Sequence, residues 1–119
     1  YTILETITAT VGLTPEDLQT FYVAGTFGSF IDPTSAITIG MIPDLPLATY
    51  ERLGNSSLGG ATKLLVSPES LDELRAIRDS ITYLELNVNQ DFMIRFSAAK
   101  FIPHTDRKRF PSVEIPRGQ

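Results

Sequence analysis

Apolar residues first recur at helical spacing. Ile3, Leu4, Ile7 and Val11 stand at offsets of 0, 1, 4 and 8, which predicts an amphipathic helix over residues 2–11 with Gly12 as its stop. Thr14-Pro15-Glu16-Asp17 supplies a cap, a proline for the first helical position and acids for the first turn. A short helical turn should follow and lead into an apolar strand at 20–24. Asp32-Pro33 repeats the start signal and predicts a helix through Ile39, with Ala36, Ile37, Ile39 and Gly40 on its buried side. Pro43 and Pro46 then impose an extended connection.

A second strand is predicted at 49–53, then a helix capped by Asn55 or Ser56. Gly59 and Gly60 lie near the start of that helix, where each costs about 1 kcal/mol relative to alanine. Close packing of a second helix is the expected reason for them. Ser67-Pro68-Glu69 opens a helix over 68–80 that gathers Leu71, Leu74, Ile77 and Ile81 on one side. From Thr82 to Val88 the period changes to two: Tyr83, Glu85 and Asn87 face one way, Leu84, Leu86 and Val88 the other. That alternation predicts a third strand, dry on one face. A final helix over 90–100 should bury Phe92, Met93, Phe96 and Ala99. From Pro103 onward periodicity is lost, and an extended or poorly ordered tail is expected. The segments divide as 1–102 and 103–119.

Helices alternating with strands imply an α/β domain with a short, mostly parallel sheet and flanking helices. Two glycine turns stand out within it. Phe21-Tyr22-Val23-Ala24 runs into Gly25-Thr26-Phe27-Gly28, and the second strand runs into Leu53-Gly54-Asn55-Ser56-Ser57-Leu58-Gly59-Gly60. Glycine allows a sharp turn and lets backbone N–H groups approach a ligand without a Cβ between them. Two in succession suggest half of a nucleotide site. From the residues alone, a structural turn ranks ahead of ligand contact at Gly25 and Gly28, and a helix cap ranks first for Asn55 and Ser56.

Composition narrows the chemistry. The 119 residues are 42% hydrophobic, enough for one core, and carry a net charge of −4. That balance argues against nucleic acid, which needs clustered cations. The one dense basic run, Arg107-Lys108-Arg109, reads as solvated tail. No cysteine is present, so this chain cannot ligate an iron–sulfur cluster or a Cys-based zinc. His104 is the single histidine and reads as a loop hydrogen-bonder, not a metal ligand. Asp32 reads as an N-cap, and Asp44 and Asp91 as solvated. No catalytic residue and no metal site is expected. No apolar run approaches membrane-spanning length. The chain opens on Tyr1 already in helical pattern and is expected to be part of something longer.

The ordered series Leu13-Thr14-Pro15-Glu16-Asp17-Leu18, Phe21 to Gly28, Ile31-Asp32, Ala36-Ile37, Ile39-Gly40 and Ile42-Pro43-Asp44-Leu45-Pro46 resembles a known family. Leu53 to Ala61, Phe101-Ile102-Pro103-His104-Thr105-Asp106 and Phe110-Pro111-Ser112-Val113 continue it. The family is the C-terminal ATPase domain of the reductive activators of corrinoid-dependent enzymes. The resemblance covers nearly the whole chain. It implies a partial actin/Hsp70-like (ribonuclease H-like) fold, shared with sugar kinases. It implies a multidomain cytoplasmic protein that uses ATP and Mg²⁺ to drive one-electron reduction of a Co(II) corrinoid to Co(I). The electrons would come from an upstream plant-type [2Fe–2S] domain, and the partner would be a corrinoid protein or corrinoid-dependent methyltransferase. Gly25, Thr26, Phe27 and Gly28, with Gly54, Asn55 and Ser56, would hold the adenosine side of ATP. Catalytic groups and Mg²⁺ ligands would lie upstream, so these 119 residues alone should not turn over ATP.

The family pattern usually has two consecutive glycines where this chain has Gly25-Thr26. That departure favours a rival, a non-catalytic docking or dimerisation module. A small-molecule kinase of the same superfamily is the other rival. An open sheet edge, left if preceding strands are lacking, would promote self-association, a homodimer among the outcomes.

Overall fold

The computed structural model describes residues 1–114. Two strands, β1 (Phe21–Ala24) and β2 (Tyr50–Gly54), pair in parallel with Phe21 opposite Tyr50 and Ala24 opposite Gly54. Six helices surround them: α1 (Thr2–Thr10), α2 (Gly25–Phe30), α3 (Pro33–Thr38), α4 (Ser56–Val66), α5 (Ser70–Ser80) and α6 (Gln90–Ala99). Each strand passes directly into a helix, β1 into α2 and β2 into α4. The α/β class and the parallel pairing are as the alternation implies.

The helix starts follow the side chains that mark them. Asp32 accepts from the Ser35 amide at 2.8 Å, Asn55 from the Leu58 amide at 3.0 Å, and Asn89 from the Phe92 amide at 2.8 Å. Thr14 and Asp17 form a capping box around a 3₁₀ turn at Pro15–Asp17. The hydrogen bonds from Ser35 hold the exposed Asp32 carboxyl below its ordinary range. Its contribution is therefore present above the ordinary carboxylate pKa and fades as pH falls through the lowered folded value.

Helix α2 lies across both strands, and Gly28 permits the approach. A Cβ there would stand 2.6 Å from Val23 Cγ1 and 3.3 Å from the Val23 carbonyl carbon. A small hydrophobic cluster of Ala36, Ile37, Pro43, Leu45 and Phe110 closes the underside of α3. Ile39, expected beside them, is exposed because α3 ends at Thr38.

Helix α1 turns most of its apolar pattern outward, with Leu4 alone of the four half-buried. Ile3, Ile7 and Val11 are 53%, 48% and 69% exposed, while Thr2, Glu5, Thr6 and Thr8 are buried. Threonine can face inward here because its hydroxyl bonds back along the helix: Thr6 to the Thr2 carbonyl at 2.8 Å, Thr8 to that of Leu4 at 3.0 Å. Glu5 is compensated by two guanidinium groups, Arg95 of α6 at 2.7 Å and Arg109. Against this polar face α6 half-buries Phe92 and Ala99, but Met93 and Phe96 remain exposed.

The expected strand at Thr82–Val88 does not form. The segment is unpaired and ends in a 3₁₀ turn at Leu86–Val88. Leu84 and Leu86 are half-buried as the alternation requires, but Val88 is 69% exposed. A strand needs a neighbouring ladder, and among the described residues the one sheet pairs only β1 with β2. The expected tail also differs. Residues 103–114 carry little regular structure, yet they fold back onto α1. His104 and Phe110 are buried, and the Tyr1, His104 and Phe110 rings stand 5.3–5.4 Å apart. Arg109, read as solvated, bonds Glu5, the Tyr1 hydroxyl at 3.0 Å and Asp106 at 3.0 Å. Asp44, also read as solvated, accepts the Ser112 amide and hydroxyl, both at 2.7 Å. Residues 115–119 of that tail lie outside the described residues.

Helices α4 and α5 form a hairpin with no buried residue. The radius of gyration is 17.3 Å, against roughly 13–14 Å for a compact domain of this length. Leu58, Leu65, Val66, Ile77 and Ile81 stay open to solvent.

Two outcomes follow from this packing. Glu5→Gln should lower unfolding free energy by about 2 kcal/mol, because it takes the ionic partner from Arg95 and leaves Arg109 with Asp106 alone; an unchanged denaturant midpoint would show that the cluster contributes nothing. Gly28→Ala should destabilise by about 1–3 kcal/mol through overpacking. Adding Val23→Ala, which removes the facing Cγ1, should restore part of that loss, and no recovery would place the strain elsewhere.

Candidate functional site

The two strands end level with one another, so their turns sit side by side. Gly25 has φ 85° and Gly54 has φ 64°, both in the left-handed region that side chains avoid. A Cβ at either would meet nothing within 4 Å. Both turns are therefore open above the backbone, as well as sharply bent. They lie at the carboxyl ends of adjacent parallel strands, where open α/β sheets receive ligands.

Seven residues were candidates from sequence, and the fold separates them. Gly25, Thr26, Gly54 and Asn55 gather at the strand ends. The Asn55 side-chain oxygen is engaged as a cap on Leu58. Ser56 turns toward a groove of about 380 Å³ between α4 and α5. Phe27 is 70% exposed and lines a different cleft. Gly28 is buried against Val23, so helix–strand packing occupies that position. Gly59 and Gly60 do not receive a packed helix as expected: a Cβ at either would meet nothing within 4 Å.

Sequence reasoning missed the cleft beside α2. It measures about 540 Å³ and is lined largely by apolar groups, among them Phe27, Ile31, Met41, Leu47 and Tyr50, with Arg52 at its edge. Its size lies within the range of small-molecule sites. The Tyr50 hydroxyl donates to the Pro43 carbonyl, and burial raises its pKa. Arg52 donates from Nη2 to the Ile31 carbonyl at 2.7 Å. The period of two in β2 could have placed Tyr50 and Arg52 on one face, but nothing in the sequence indicates that α2 would leave a gap above them.

Asp32 is held ionised by Ser35. The Asp106 carboxyl lies below its ordinary range through its bond to Arg109. His104 accepts the Asp106 amide on Nδ1 at 3.0 Å, the loop role its setting suggests. Among the described residues no group of three or more His, Cys, Asp or Glu side chains could hold a metal ion. Nor, among them, is any helix long and apolar enough to cross a membrane.

Comparison with known proteins places this arrangement. The family model described as the C-terminal domain of RACo, the ASKHA domain, matches residues 1–114. The "Corrinoid activation enzyme RamQ" of Eubacterium limosum is 32% identical over 82 residues, 69% of this chain and 14% of that protein. A solved structure, "Reductive activator for corrinoid,iron-sulfur protein", is 43% identical with a TM-score of 0.85, over 94% of this chain and 18% of that one. The chain thus spans less than a fifth of either relative. The partial actin/Hsp70-like fold agrees with these matches, and the chain belongs to the family of C-terminal ASKHA domains of corrinoid reductive activators.

Proposed function

We propose that this domain holds the adenosine side of ATP in a protein that reductively activates a corrinoid partner. The observation that carries the reading is the pair of open, left-handed glycines, Gly25 and Gly54, at the level ends of two parallel strands. Gly25, Thr26, Gly54 and Asn55 would face the nucleoside. Phe27 and Ser56 would flank it from the two clefts, and Gly28 would fix the height of α2.

In the whole protein, ATP and water yield ADP and phosphate. One electron passes from a reduced [2Fe–2S] centre to Co(II), giving Co(I). The partner would be a corrinoid protein or a corrinoid-dependent methyltransferase, in the cytoplasm, without nucleic acid or membrane. The chain has no cysteine, so the cluster must be held by other sequence. The described residues likewise offer no group of three or more His, Cys, Asp or Glu side chains to hold a metal ion. This domain's share is to bind and orient. Nucleotide-dependent closure over the two turns would change the surface presented to the corrinoid protein.

A docking or dimerisation role is the second reading. The uncovered apolar side chains of α1 and of the α4–α5 hairpin favour it.

In the full-length protein, Gly25→Val should raise the Kd for Mg-ATP at least about tenfold, because the side chain would occupy space the ligand needs and would strain the turn. Gly12→Val is the control: Gly12 has φ 74° and open space, but lies outside the site. It should leave Kd unchanged. Equal effects of the two variants, or none from Gly25→Val, would return the turn to a purely structural role. The isolated 119 residues should show no steady ATP hydrolysis, and measurable turnover would mean that catalytic groups reside here.

A further inference from the structure

We propose that Arg52 is a positioning residue for the strand-end site, a claim that rests on the nucleotide reading above. Helix α2 begins at Gly25, in the first turn, and ends at Phe30. Three things fix it. Its start is joined to β1. Its middle rests on β1 where Gly28 meets Val23. Its end is held from β2, where Arg52 Nη2 donates to the Ile31 carbonyl at 2.7 Å.

Arg52 is opposite Val23 in the ladder and two residues before Gly54. The guanidinium therefore ties the far end of α2 to the strand that carries the second turn. It is the one side-chain hydrogen bond between β2 and the β1–α2 unit among the described residues. It is also well matched, because a cation at a helix C-terminus meets the unpaired carbonyls and the negative end of the helix dipole. Without it, α2 can pivot on the Gly28–Val23 contact. Gly25, Thr26 and Phe27 lie on the other side of that contact, so a pivot moves them relative to Gly54 and Asn55. The bond thus sets the distance between the two halves of the proposed site without touching the ligand.

The test uses the full-length protein with Arg52→Met, which keeps the apolar stem along the cleft, and Arg52→Lys, which restores one donor. Amide hydrogen exchange at residues 29–31 is measured without nucleotide, and Kd for Mg-ATP by calorimetry. Arg52→Met should speed exchange of those amides and raise Kd about tenfold, the scale of one lost charge-assisted bond. Arg52→Lys should recover much of both, and the melting temperature should change little. Unchanged exchange in Arg52→Met would overturn the tether. Faster exchange with unchanged Kd would leave Arg52 structural only and overturn the positioning role. Absence of ATP binding by the unaltered protein would overturn the nucleotide reading and the positioning role with it, while the exchange result would still decide whether Arg52 holds α2.

Discussion

Everything near the strand ends depends on how closely α2 can lie on β1 and β2. That distance is set by the missing Cβ of Gly28, which lets the helix rest against Val23. A helix held further out would pull the Gly25 turn away from the Gly54 turn, and the two would no longer share one edge. The strands bring their ends level through parallel pairing, and the left-handed backbone at each glycine turns the chain at once into a helix. Parallel strands are ordinarily covered on both faces by helices. Here α2 covers one face, while Tyr22 and Leu53 remain exposed.

The remainder is held together in a different way. Where α1, α6 and residues 103–114 meet, a ring cluster of Tyr1, His104 and Phe110 stands beside threonines satisfied along their own helix, one buried carboxylate, and two arginines reaching it from separate elements. Such a cluster favours this docking of the three segments, because withdrawing either arginine leaves the buried carboxylate less compensated. It also frees the apolar stripe of α1 to face outward.

Much of the local structure was legible. Thr14, Asp32 and Asn55 announced their helices through chemistry that acts within three residues, and all three act as caps or in a capping box. The two strands and their glycine turns were legible for the same reason. What failed was long-range. Ile3, Ile7 and Val11 show an apolar face, but periodicity does not say which face has a neighbour. Glu5 became buried only because Arg95 and Arg109 arrive from 90 and 104 residues away. The alternation at 82–88 set an extended course but could not supply a ladder. The solvated reading of Arg109 and Asp44 failed because their partners, Glu5 and Ser112, lie across the chain. Of the site, the turns were visible and the cleft beside α2 was not, since a cleft is a gap between elements and has no residue pattern of its own.

The central claim is that the Gly25 and Gly54 turns act as two halves of one nucleotide-binding edge. Amide hydrogen exchange in the full-length protein, with and without Mg-ATP, tests it most directly. Protection should appear together in residues 25–28 and 54–58, with one dependence on ATP concentration. Protection in neither segment, while ATP binds elsewhere in the protein, would contradict the account.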